Sequence, residues 1–121
     1  MILRTGVDLI EIDRIEGVIA RHGKRYLDRV FTPAEIEQSG NKPESFAGRF
    51  AAKEACAKAI GTGIGVVSWK EIEILGDDQN APILKLYGVA DQKAKELGLT
   101  TWSVSISHSL RDAVAFVVAV G

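Results

Sequence analysis

The stretch Arg49-Phe50-Ala51-Ala52-Lys53-Glu54-Ala55-Cys56-Ala57-Lys58-Ala59 constrains this chain more than any other. It is rich in alanine, holds good helix formers throughout and contains neither Gly nor Pro, so the spacing predicts an α-helix. Phe50, Glu54 and Lys58 follow at steps of four, which stacks an aromatic ring, a carboxylate and an amine on one stripe. Taken alone, Glu four residues before Lys is an ordinary surface ion pair contributing about 0.3–0.5 kcal/mol. The setting argues for more. The neighbours are small, so a bulky group can approach closely, and the helix runs into Gly61-Thr62-Gly63-Ile64-Gly65. One glycine suffices to stop a helix, whereas successive loop N–H groups can form a concave anion site. A helix C-terminus carries partial negative charge. A phosphate bound here would therefore rely on Lys58 and the loop amides to overcome repulsion.

Composition narrows the class. The 121 residues fit one domain, and 46% hydrophobic with 26% charged residues is the balance of a globular protein. No apolar run reaches the roughly 18 residues of a membrane span. The first residues lack the pattern of a signal peptide, so a cytoplasmic location without membrane attachment is expected. The single cysteine, Cys56, offers neither an internal disulfide nor a metal cluster. A net charge of −1 argues against a chain built to coat nucleic acid.

In chain order, residues 2–10 read as a strand that places Asp8 among apolar neighbours, where an unpaired carboxylate is expensive. Asp8 either ends that strand and caps the next element or ligates a metal. Asp13 with Glu16 resembles a helix-start box, followed by one basic helical stretch from Arg14 to Arg29. Its charge means either a solvated face or the docking of an acidic partner. Thr32-Pro33-Ala34-Glu35 fits a capping box with Pro at the first helical position, and the central helix is expected to begin near Glu44. The second half reads as a hairpin around residues 77–80, a helix over 89–97, a strand over 102–108 and an almost wholly apolar strand over 113–120. That last strand calls for cover on both faces, from the domain or from another subunit. The fold class expected is α+β, a single domain over 1–121 with a mostly antiparallel sheet packed against a central helix. His108 closes a strand, where a hydrogen-bonded structural role is the commoner one.

Four ordered motifs resemble one family over nearly the whole chain. These are Gly6-Val7-Asp8-Leu9-Ile10-Glu11-Ile12-Asp13-Arg14-Ile15, Phe31-Thr32-Pro33-Ala34-Glu35, the central helix, and Ser105-Ile106-Ser107-His108. Together they are similar to holo-acyl-carrier-protein synthase, the small single-domain type of 4′-phosphopantetheinyl transferase. The resemblance implies transfer of phosphopantetheine from coenzyme A to a serine of apo acyl carrier protein, in support of fatty acid biosynthesis. It implies Mg²⁺ on Asp8 and Glu54, a cation that suits one or two carboxylates completed by water and substrate phosphates. It makes Asp8, Glu54 and Lys58 the catalytic candidates. Lys53, Lys58, Gly61, Thr62, Gly63 and His108 are the candidates for holding coenzyme A, and Arg14 and Arg21 for docking the carrier protein. A homotrimer with sites between subunits is implied as well, using the apolar final strand. One departure is visible: Asn80-Ala81-Pro82 stands where the family tends to have Gly two residues before Pro. The rival readings are a different Mg²⁺-dependent enzyme acting on another nucleotide or phosphate, and a non-catalytic module binding an acidic protein.

Overall fold

A computed structural model describes residues 1–121. The central helix, α4 in chain order, spans Pro43–Ile60, with the proline in its first turn, where a missing N–H costs nothing. Against one side lies a three-stranded antiparallel sheet of β1 (Leu3–Glu11), β5 (Asp112–Val120) and β4 (Thr101–His108), in the order β1-β5-β4. Register runs unbroken from Leu3 opposite Val120 to Glu11 opposite Asp112, and from Thr101 opposite Val120 to His108 opposite Ala113.

The inward residues of β5 are Ala113, Ala115, Val117 and Ala119, all buried, and α4 turns small residues toward them. Small against small lets helix and sheet approach closely. The closest approach is at Gly6, where a Cβ would stand 1.8 Å from the Ala55 carbonyl oxygen. No other residue fits there without moving α4 off β1.

On the far side of α4 pack α3 (Pro33–Ser39) and the hairpin of β2 (Ile72–Gly76) and β3 (Pro82–Leu86), reached through a 3-10 turn at Trp69–Glu71. The expected capping box of α3 is present: Glu35 N–H donates to Thr32 Oγ1 at 3.2 Å and Thr32 N–H donates to Glu35 Oε1 at 2.8 Å. In the hairpin turn Asn80 takes φ 66°, so asparagine supplies the left-handed residue that glycine supplies elsewhere. Helix α5 spans Gly88–Glu96.

Two local expectations are corrected. The basic stretch is not one helix but two, α1 (Ile12–His22) and α2 (Lys24–Val30), broken at Gly23 with φ 55°. The box at Asp13 and Glu16 does not form: Ile12 already begins α1, Glu11 caps it without a side-chain bond, and Asp13 sits in the first turn. There its charge complements the helix dipole.

The outer face of the sheet is left bare within one chain. Leu3, Val7 and Leu9 of β1 and Phe116 of β5 are 64%, 52%, 66% and 45% exposed. The apolar last strand is thus covered on its inner face by the domain and on its outer face by nothing in the same chain.

Candidate active site

Between Ala51 and Ile60 every residue of α4 is buried except Glu54, which is half-buried, and Lys58, which is exposed. The helix is wrapped on nearly all sides, and the stripe read from sequence is the one line along which it reaches solvent. That line opens toward β1, an edge strand, on the face that carries Asp8.

Asp8 and Glu54 line one cavity of about 310 Å³, with Phe50 and Arg14 also in its wall. The pairing expected at the surface, Glu54 with Lys58, is replaced by another. Lys58 Nζ donates to Asp8 Oδ1 at 3.1 Å and to the Val7 carbonyl at 3.0 Å. Glu54 is left without a cationic partner of its own. Burial and the neighbouring charge of Asp8 raise its carboxyl pKa, and Lys58 only partly opposes them. Phe50 stacks on Trp69 with ring centroids 4.8 Å apart, which builds an aromatic wall beside the carboxylates.

Lys53 is corrected from its expected role toward a phosphate. Its side chain is wholly buried, and Nζ donates to Glu35 Oε1 at 2.8 Å, the Trp69 carbonyl at 2.9 Å and the Ile72 carbonyl at 2.5 Å. An ammonium has three protons, so none is left for a ligand. Burial pulls its pKa down while Glu35 opposes that. The role is structural: it ties α4 to α3, the 3-10 turn and β2. Glu35 completes the knot by accepting the Ile74 N–H at 2.9 Å.

In the glycine loop three amides are already engaged within the chain. Gly61 and Gly63 N–H groups donate to the Ala57 carbonyl at 3.0 and 3.3 Å, and Gly65 N–H to the Val67 carbonyl at 2.9 Å. Those three amides end the helix and form a turn, and so are not open to an anion. Thr62 Oγ1 likewise donates within the loop, to Gly63 O at 3.0 Å. The negative end of α4 is instead covered by Arg4, whose Nε donates to the Ala59 carbonyl at 2.5 Å and Nη2 to the Ile60 carbonyl at 3.3 Å. The sequence reading missed Arg4. Its signal was parity, since Arg4, Gly6 and Asp8 share the β1 face that meets α4.

His108 lies apart from the carboxylates. It lines a separate groove of about 400 Å³ with Arg49, Lys42 and Asn80. Arg49 was not singled out from sequence. Its guanidinium is fixed by Ile74 O at 2.9 Å, Ser45 Oγ at 2.5 Å and Gln38 Oε1 at 2.9 Å. Within one chain, then, the carboxylate pair and the histidine open onto two different hollows. Arg14 and Arg21 are both exposed on α1, and Arg14 also belongs to the carboxylate cavity.

This geometry can be set beside known proteins. The description "ACPS: 4′-phosphopantetheinyl transferase superfamily" matches residues 4–118. The chain belongs to this superfamily. Among its relatives, the holo-[acyl-carrier-protein] synthase of Herpetosiphon aurantiacus is 51% identical, with 98% of this chain and 99% of that protein covered. The synthase of Natranaerobius thermophilus is 48% identical over 95% of this chain and 94% of its own length. The crystal structure of the Helicobacter pylori synthase in complex with coenzyme A superposes with a TM-score of 0.88 at 38% identity, over 96% of this chain and 99% of that one. The phosphopantetheinyl transferase fold, one α+β domain with antiparallel sheets against helices, is therefore the fold of this chain.

Proposed function

We propose that this chain is an enzyme that transfers 4′-phosphopantetheine from coenzyme A to a serine hydroxyl of an apo acyl carrier protein, releasing adenosine 3′,5′-bisphosphate, in support of fatty acid biosynthesis in the cytoplasm. The observation that carries this reading is the meeting of Asp8 and Glu54 in one cavity with the Lys58 amine at its rim. Relatives named for this activity, including one crystallised with coenzyme A, support it.

Asp8 and Glu54 would hold Mg²⁺. The fit rests on the donors themselves: two carboxylates, one of them lifted in pKa by burial and by the charge of the other, and no third His, Cys, Asp or Glu to complete a cage. A hard cation that prefers to complete its shell with water and phosphate oxygens suits that set. Bound there, it would neutralise charge on the diphosphate. Phosphoryl transfer calls chiefly for alignment and charge neutralisation, and the chain supplies both. Lys58 stands ready to exchange Asp8 for a phosphate oxygen. Phe50, stacked on Trp69, gives the cavity an apolar side. Exposed Arg14 and Arg21 would receive the acidic carrier protein.

The bare outer sheet face would be covered by two further copies in a homotrimer, since a contiguous apolar surface of this kind marks a protein interface. Assembly would also bring the His108 groove of one protomer toward the carboxylate cavity of its neighbour, where His108 would meet the nucleotide end of coenzyme A. The deciding experiment is incubation with coenzyme A, Mg²⁺ and an unmodified carrier protein. Intact mass should rise by one phosphopantetheine, and no increment would reject the reading. A non-catalytic module would show binding without any increment.

A further inference from the structure

Arg4 of β1 reaches the last turn of α4, where its guanidinium donates to the Ala59 and Ile60 carbonyls, 55 and 56 positions away in the chain. No ion pair of the chain includes it, so no carboxylate neutralises its charge. The guanidinium rests on Gly61, where a Cβ would stand 2.6 Å from Nη2. A side chain at that position would push Arg4 off the helix end.

The helix does not need this arginine in order to stop. Gly61 takes φ 95° and donates its N–H to the Ala57 carbonyl, which ends α4 by itself. Holding a long side chain in one geometry costs conformational freedom, and termination alone does not account for it.

The sign of the charge beside Lys58 does. A helix C-terminus carries roughly half a negative charge, so an unpaired guanidinium laid on it leaves that end positive by roughly half a charge. Lys58 immediately precedes Ala59, and its Nζ donates to the Val7 carbonyl and to Asp8. Arg4 and Val7 are three residues apart on β1, about 10 Å at the rise of an extended strand. Charges still act on one another over that distance, about a Debye length at moderate salt. Without Arg4, Lys58 would draw an anion against the field of its own helix. With Arg4 in place, both favour it.

We propose that Arg4 is a positioning residue for the diphosphate of coenzyme A, acting through Lys58 and the helix end: it turns the carboxyl end of α4 from repelling the diphosphate to favouring it, and holds the turn that carries Lys58 against β1. This rests on the phosphopantetheinyl transfer reading. It adds a residue whose charge, rather than any contact with substrate, sets affinity for the coenzyme.

Two substitutions separate charge from hydrogen bonding. Arg4→Lys keeps the charge and loses the planar fork, whereas Arg4→Gln keeps an amide donor and loses the charge. Coenzyme A binding is measured by calorimetry with Mg²⁺ present and no carrier protein. The Kd should rise about 3- to 30-fold in Arg4→Gln, the range of a charge at a partly buried helix end, and by less than about 3-fold in Arg4→Lys. In turnover the KM for coenzyme A should follow the Kd. The KM for carrier protein should stay put, because Arg4 lies at the end of β1 remote from α1. Wild-type affinity in Arg4→Gln would overturn the proposal. Equal losses in the two variants would do so as well, since a mere tether is blind to charge. If Arg4→Gln fails to fold, Arg4→Met, which keeps an unbranched apolar stem, takes its place under the same criterion. The mass increment of the wild-type protein separates the two readings: its absence rejects transfer altogether, whereas its presence with an unaltered Arg4→Gln rejects only the role of Arg4.

Discussion

Lys58 Nζ stands 3.1 Å from Asp8 Oδ1, so the last turn of α4 is joined to β1 by an ion pair that solvent reaches from the lysine side. Exposed pairs of this kind contribute about 0–1 kcal/mol, and Lys58→Ala should change stability by no more than that in chemical denaturation. Its effect on transfer should be far larger. Loss of one charge-stabilising donor at a reacting centre typically costs about 10²–10³ in rate. Denaturation midpoints and initial rates on the same preparation check the two halves. A rate loss no greater than the stability loss would remove Lys58 from the chemistry.

Lys53, five positions earlier on the same helix, should behave in the opposite manner. Lys53→Ala leaves the Glu35 carboxylate buried and without its ammonium. Breaking such a pair costs about 3–5 kcal/mol, a large share of a small domain's stability. The variant should unfold at much lower denaturant. Adding Glu35→Gln to Lys53→Met should recover part of the loss, because no stranded charge remains. If Lys53→Ala keeps wild-type stability and loses only coenzyme A affinity, the structural role assigned to Lys53 is wrong.

The contrast between these two lysines measures what a linear pattern conveys. Periodicity placed Phe50, Glu54 and Lys58 on one stripe correctly because a helix repeats locally. It was silent on which alanine-rich faces would be covered, and α4 is covered on almost all of them. Lys53 next to Glu54 reads as one more charge, and only the approach of α3 and β2 from across the chain reveals that it is interior. The capping box at Thr32 was legible since its partners are three residues apart. Glu35's bond to Ile74 N–H was not, being a contact over 39 positions. Arg4 escaped notice for the same reason, its acceptors lying 55 and 56 residues away. The break at Gly23 was missed because the apolar and basic spacing runs on through it, and one glycine in such a pattern is often tolerated.

The outer sheet face offers a third test. Phe116 sits opposite Val7 on β1 and Ser105 on β4, in the middle of that face. Phe116→Asp puts a carboxylate where the proposed trimer would close. Sedimentation should shift from trimer to monomer while the far-ultraviolet circular dichroism stays unchanged, since the side chain points away from α4. Transfer should fall with assembly if the His108 groove serves a neighbouring protomer. An unchanged sedimentation coefficient would move the interface elsewhere.

The pH behaviour of Glu54 ties stability to function with a definite sign. Burial first, then the Asp8 charge, lift its folded pKa above the ordinary glutamate value, with Lys58 opposing. Below that ordinary value the carboxyl is protonated whether folded or not, and it costs nothing. As the pH climbs from there to the raised value, the unfolded chain releases its proton first, so folding stability declines across this window and stays lower above it. At pH 7 Glu54→Gln should therefore melt at a higher temperature than the wild type while losing transfer, a stability gained at the expense of the site. A divalent cation that binds only the folded form should raise the wild-type melting temperature. The same Mg²⁺ titration should leave Glu54→Gln and Asp8→Asn nearly unmoved, and the wild-type response should fade as acid protonates Glu54. Equal Mg²⁺ responses in all three proteins would place the cation somewhere other than between Asp8 and Glu54.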